Sequence, residues 1–313
     1  MGAYIVRRLL ATFPVMAVVA VFVFLLLRLA PGDPAALIAG DDATSADIDA
    51  IRAKLGLDLP IWEQFVLWIA DILRGDLGVS IFSNLPVTVL IGQRLEPTLM
   101  LMLATLFVAV TLAIPLGVLA AWKARTAIDR IVMVFSVLGF AVPVFLAGYV
   151  LIYIFSIQLR WLPVQGYRPL AQGLWPCLQG LILPAIALGT TYMALIARIT
   201  RASMLEVLAQ DYIRTANAKG LATRRVLLLH ALKNASVPIV TVIGIGIALL
   251  ISGVVITETV FNIPGLGRLT VDAVLKRDYP IVQGLILVFA GVKVLINLMI
   301  DLSYVFLDPR IRY

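Results

Sequence analysis

The chain has 313 residues, 62% of them hydrophobic and only 14% charged, with a formal net charge of +7. That balance describes a polytopic membrane protein and excludes a soluble domain, whose surface at this length needs more charge. One Cys177 and one His230 exclude an internal disulfide and a convincing His/Cys metal cluster, so redox and zinc chemistry are set aside.

Six stretches approach the ~20 apolar residues that a bilayer crossing requires, centred on 9–27, 98–122, 131–157, 176–197, 237–257 and 279–300. The runs are continuous rather than alternating, which predicts an all-α protein of six transmembrane helices. The first, within residues 1–29, has Arg7 and Arg8 ahead of an apolar run through Leu27. That run exceeds a signal core, and the Ala-Pro-Gly-Asp-Pro after Arg28 is a poor cleavage site, so a retained anchor is expected.

Residues 30–96 are too long for a simple connector and are expected to fold partly outside the membrane. Thr44-Ser45-Ala46-Asp47 reads as a helix start, with Ile48, Ile51 and Leu55 on one face and Gly56 as the stop. A second amphipathic helix follows Pro60, its apolar side formed by Trp62, Phe65, Val66, Ile69, Ile72 and Leu73. These helices serve as a docking surface or lid, or lie on the membrane face with Trp62 and Trp68 in the interfacial belt. Gly75-Asp-Leu-Gly78 supplies a turn before the second span.

Residues 97–313 carry the other five spans. Pro115, Pro143 and Pro184 fall inside them with several glycines, which suits a bundle that must move. Basic residues gather in the connections at Lys123–Arg130 and Arg198–Lys233, at Arg7–Arg8 and at Arg310 and Arg312, whereas the acids concentrate before the second span. Both termini are therefore predicted to be cytoplasmic, and the positive charge is a topology signal rather than a nucleic-acid patch. Lys293 and Asp301 share one face of the last span; Lys293 is a candidate for the translocation pathway, with a structural interior contact as the alternative. No chain of buried carboxylates suggests a proton relay.

The basic interruption 198–236 is the most distinctive segment. Met204, Leu205, Leu208 and Tyr212 recur at helical spacing, continuing through Thr215, Ala216 and Lys219 until Gly220 ends the helix, and Thr223 is placed to cap the next. A short rod with a face of Tyr212 and Ala216 suits a partner's groove; a basic loop on anionic lipid is the alternative on periodicity alone. Within it, Asp211-Tyr212-Ile213-Arg214-Thr215-Ala216-Asn217-Ala218-Lys219-Gly220 resembles the EAA loop of permease subunits of ATP-binding-cassette importers, with Gly220 and Pro238 at matching places. Arg214-Thr215-Ala216 stands where the family has Glu-Ala-Ala, as in its peptide and nickel branch, and Asn217 departs from the arginine common there.

Leu29-Ala-Pro-Gly-Asp-Pro34, Gly75-Asp-Leu-Gly-Val-Ser80, Glu258-Thr-Val-Phe-Asn-Ile-Pro-Gly-Leu-Gly267, Arg277-Asp-Tyr-Pro280 and Asp308-Pro-Arg-Ile-Arg312 look like hallmarks of the first inner-membrane subunit of dipeptide, oligopeptide and glutathione permeases. The resemblance implies the type I importer permease fold in a bacterial inner membrane. It also implies a similar second permease subunit, two ATPase subunits that bind ATP and Mg, and an extracytoplasmic substrate-binding protein. Residues 211–220 would couple to the ATPases. The chain itself lacks a phosphate-cradling Gly-x-x-x-x-Gly-Lys-Ser/Thr loop, so it is expected to be non-catalytic and to bind no cofactor. Residues 258–280 would lie at the outer mouth, with Glu258, Phe261, Pro264 and Gly265 as gate residues or, more simply, as a connector. Peptide is the expected cargo, with glutathione or nickel chelates as alternatives inside the family and an ion-coupled peptide carrier as the alternative outside it.

Overall fold

The computed structural model describes residues 2–29, 35–36, 44–54 and 56–307. The Ala30–Pro34 part of the first motif, Leu55 and the final Asp308–Arg312 stretch lie outside them. Among the described residues there is no strand, only an isolated antiparallel bridge between Val79 and Pro86. The helices are α1 Gly2–Leu29, α2 Ser45–Lys54, α3 Ile61–Leu73, α4 Val87–Trp122, α5 Ala127–Ala141, α6 Val144–Leu151, α7 Leu174–Leu208, α8 Asp211–Ala218, α9 Ser236–Val260, α10 Leu266–Lys276 and α11 Tyr279–Leu307. A π-helical turn, Ile152–Gln158, extends α6, and three short helical pieces, Thr223–Arg225, Val226–Ala231 and Leu232–Asn234, lie between α8 and α9.

Four of these, α4, α7, α9 and the Tyr279–Ile300 part of α11, are long and apolar enough to cross a bilayer. The expected third span is not one straight helix: α5 and the α6 segment meet at 103°. Pro143 explains the break. Its ring disfavours helical geometry in the residue before it, and Val142 is extended at φ −79°, ψ 123°, while Pro143 itself begins α6. The expected first span is helical, but its described apolar part is the shorter Leu10–Leu25. Among the described residues, four helices, or five with the bent pair counted as one span, are long and apolar enough to cross, beside the six crossings expected.

Residue contacts divide the chain into two compact units. One comprises Gly2–Leu95 and Leu269–Val294. Here Phe24 of α1 meets Phe65 of α3 edge-on at 5.0 Å and Trp68 at 5.5 Å. That contact covers one side of α3, while Trp62, Val66 and Leu73 on its other side are exposed. α2 ends as expected: Gly56 adopts φ +65°, which lets the Leu57 N–H reach the Arg52 carbonyl at 3.0 Å. Gln283 donates to the Val23 carbonyl at 3.1 Å, and a methyl at Gly284 would stand 2.7 Å from Val87.

The other unit comprises Glu96–Arg268 and Leu295 onward. α7 is its central helix, with 61% of its apolar window buried against 22% for that of α4. Leu181, Leu188, Tyr192 and Ile196 of α7 share a core with Leu101, Ala109 and Ala113 of α4 and Val242, Leu250 and Val254 of α9. Backbones approach closely where side chains are smallest. A methyl at Gly117 would stand 2.7 Å from the Ala197 carbonyl oxygen, and one at Gly139 would stand 3.2 Å from that of Thr190. α4 and α5 therefore lie against α7 at near-contact distance.

Candidate functional site

The helix expected to run from Met204 to Lys219 is two helices. α7 stops at Leu208, and Gln210 turns extended (φ −74°, ψ 149°) before α8 begins at Asp211. The Gln210 carbonyl accepts the Ile213 N–H at 3.1 Å, which starts the new helix. At the other end Gly220 adopts φ +74°. Its N–H donates to the Asn217 carbonyl at 2.9 Å and the Leu221 N–H to the Ala216 carbonyl at 3.3 Å, a paired closure that glycine permits at little strain. Thr223 does not cap the following piece; Ala222 holds that position and Thr223 is the first helical residue.

α8 has an inner and an outer side. Ile213 and Ala216 are buried with Val118 and Ala121 of α4, Met204 of α7, and Val226, Ala231, Ala235 and Ile239. Burying Ile213 alone contributes about 2 kcal/mol. Ala216 therefore faces inward, not toward a partner as its spacing suggests. Asp211, Tyr212, Arg214, Thr215, Asn217, Ala218, Lys219 and Gly220 are exposed. The Tyr212 hydroxyl accepts from Asn234 Nδ2 at 3.0 Å, and the same amide donates to the His230 carbonyl at 2.7 Å. The outer face is thus firmly footed yet fully presented.

The Glu258 motif builds a buried clasp. Glu258, at 0% exposure, sits near the end of α9. The Thr98 hydroxyl donates to its Oε1 at 2.6 Å, the Arg268 N–H donates to its Oε2 at 2.9 Å, and the Leu266 N–H donates to Thr98 Oγ1 at 2.8 Å. A carboxylate is thereby placed at the N-terminus of α10, where unpaired N–H groups and the helix dipole favour negative charge. A Cβ at Gly265 would fall inside that carboxylate, and one at Gly267 would stand 2.6 Å from Val255 Cα, so both positions demand glycine. Phe261 is buried, its carbonyl accepting the Gly166 N–H at 3.1 Å; Pro264 is half-buried. Of the four gate candidates, Glu258, Phe261 and Gly265 offer no open surface here.

The loop containing Gly166 is also tied down: Glu96 Oε1 accepts the Tyr167 hydroxyl and the Leu170 N–H, each at 2.7 Å. Burial, and then the Glu96 carboxylate, push the Tyr167 phenol upward. In the other unit two further motifs meet, as the Ser80 hydroxyl and the Ile81 N–H donate to the buried Asp278 carboxylate at 2.5 and 3.3 Å. Lys293 is exposed in α11, and among the described residues no carboxylate pairs with it; the side chain of Asp301 is outside those residues.

One constellation escapes the sequence reading. Asp129, in the first turn of α5, is buried and accepts from Arg201 of α7 twice, at 2.5 and 2.7 Å, and from the Arg125 N–H at 2.9 Å. From sequence, Arg201 counts only toward orientation and Asp129 has no role. The available signal is a lone acid in the first turn of an apolar helix, which needs a partner once buried.

Two family models cover most of the chain. The binding-protein-dependent transport system inner membrane component matches residues 113–313, and its N-terminal companion matches residues 1–102. Over 313 residues, all of each chain, the sequence is 56% identical to the probable peptide ABC transporter permease protein y4tP of Sinorhizobium fredii. It is 43% identical over 311 residues, 99% of each chain, to the glutathione transport system permease protein GsiC of Escherichia coli. The fold resembles a chain in an inward-facing structure of the MetNI methionine ABC transporter, with a TM-score of 0.60 at 15% identity, covering 71% of this chain and 97% of that one.

Proposed function

Because the chain belongs to the family of binding-protein-dependent transport system inner membrane components, and is thus a multi-pass permease subunit of an ABC importer in the bacterial plasma membrane, we propose that it forms half of a pathway for short peptides. In this reading residues 1–29 anchor the chain, residues 30–96 face outward, and residues 97–313 form the moving core, with both termini cytoplasmic. A homologous second permease subunit supplies the other half of the pathway. Two ATPase subunits, which bind ATP and Mg, dock below the paired permeases, one of them on α8, and a substrate-binding protein delivers cargo from outside.

α8 carries the reading. It is a short helix whose buried side is fixed by Ile213 and Ala216 while its outer side is left uncovered, the geometry a partner groove requires. Closure of the ATPases on ATP moves the groove, and the embedded helix turns that motion into rocking of the bundle between inward- and outward-open states. The chain itself performs no chemistry. The peptide and glutathione names of its relatives favour short peptides as cargo, glutathione among them, over nickel chelates. Proteoliposomes holding the full assembly test this: uptake of a labelled di- or tripeptide requires ATP inside and the binding protein outside. Uptake driven by an ion gradient, with the ATPase subunits left out, would instead identify an ion-coupled carrier.

A further inference from the structure

α5 and α7 pack along their length, and two points fix their register. At one, Arg201 grips Asp129 with two hydrogen bonds at 2.5 and 2.7 Å. At the other, Gly139 approaches the Thr190 carbonyl so closely that a methyl would stand 3.2 Å from its oxygen. These points are separated by about 15 Å on each helix at 1.5 Å per residue, and they run in opposite order, so the helices lie side by side and antiparallel along that length. The Gly139 end precedes the 103° break at Val142–Pro143 by a few residues.

The Asp129 end is equally well connected. Arg201 is on the same turn of α7 as Met204, which packs with Ile213 and Ala216 of α8 in one core. The Arg125 N–H, from a residue at φ +65°, closes the third side of the carboxylate and ties the α4–α5 turn to the same point. A planar guanidinium held by both carboxylate oxygens resists rotation and sliding, which a single point charge does not. With Asp129 buried and Arg201 half-buried, such a pair adds little to net stability relative to a well-packed apolar pair, so geometric specification is its more economical explanation.

We propose that the Asp129–Arg201 pair locks α5 and α7 into one strut, so that displacement of α8 reaches the Val142–Pro143 bend undiminished and the bend absorbs it. The proposal rests on the reading of α8 as the ATPase-facing helix. Asp129 and Arg201 are then positioning residues: they touch neither cargo nor nucleotide, and their loss separates ATP hydrolysis from transport.

The test replaces both residues by cysteine, Asp129→Cys with Arg201→Cys, in a Cys177→Ser background, within the complete transporter reconstituted in liposomes. Peptide uptake per ATP hydrolysed is measured before and after joining the two thiols with a short bifunctional reagent. Without the cross-link, hydrolysis continues while uptake per ATP falls roughly tenfold, the scale of a lost coupling element. With the cross-link, uptake per ATP returns to near the Cys177→Ser value, because a covalent lock replaces the ionic one. Three results overturn the proposal: unchanged uptake per ATP in the uncross-linked variant, abolished uptake in the cross-linked one, or loss of the ATPase subunits from the variant, which would make the pair a scaffold element. Failure of the α8 reading is read separately, from whether the ATPase subunits contact α8 in the unsubstituted background.

Discussion

A methyl group at Gly265 has nowhere to go, because the Glu258 carboxylate already fills that space. Gly265→Ala must therefore shift a buried, hydrogen-bonded acid, and a cost of about 2–3 kcal/mol is expected, measured as a lower melting temperature of the detergent-purified chain. An unchanged melting temperature would show that the clasp yields easily. Thr98→Val probes the same clasp from its other partner: it removes a donor to Glu258 and an acceptor for the Leu266 N–H, and about 1–3 kcal/mol should be lost although the side chain keeps its shape. Gly220 is the opposite case. Its Cβ position is open, so only the backbone at φ +74° resists substitution. Thermal stability should fall in the order Gly, Asn, Ala, Val, with Gly220→Ala costing about 1 kcal/mol and Gly220→Asn less. An order set by side-chain size alone would contradict this. The requirement at Gly220 was legible from the glycine after a helical run. That at Gly265 was not, since it arises from a carboxylate seven positions earlier folding back on the turn.

At the scale of elements, local signals served best where the chain solves its problem locally. Ser45 and Gly56 bracket α2, and Pro60 precedes α3, as turn and capping chemistry dictates. Pro143, expected inside the third span, is where that span bends, because it opens a new helix, α6, instead of sitting within one. The single helix from Met204 to Lys219 failed because its apolar spacing continues across Gln210, where the backbone does not. The long-range pairings Ser80–Asp278, Thr98–Glu258 and Asp129–Arg201 carry no periodic signal at all. Another element-end prediction concerns Arg277, which sits at φ +57° where the Asp278 N–H closes α10 onto the Ala273 carbonyl at 2.8 Å. Arg277→Gly relieves that left-handed strain and should raise stability by up to about 1 kcal/mol; destabilisation would show that the exposed arginine contributes a contact of its own.

For the whole molecule, composition was enough to establish a membrane protein, and the motifs were enough to establish its family, because both are properties of the chain read in order. How many spans run straight through the bilayer depends on where prolines break them, which composition does not reveal. We propose a mechanical role for this subunit, in which the outer face of α8 is the point where nucleotide-driven motion enters. The most direct measurement places a cysteine at exposed Asn217 in a Cys177→Ser background of the assembled, transport-competent complex and tests its cross-linking to the nucleotide-binding subunits. The account predicts efficient cross-linking to an ATPase subunit and protection of the thiol from water-soluble reagents in the assembly. A complex that imports peptide on ATP while this thiol stays fully reactive toward solvent and joins to no ATPase subunit would contradict it.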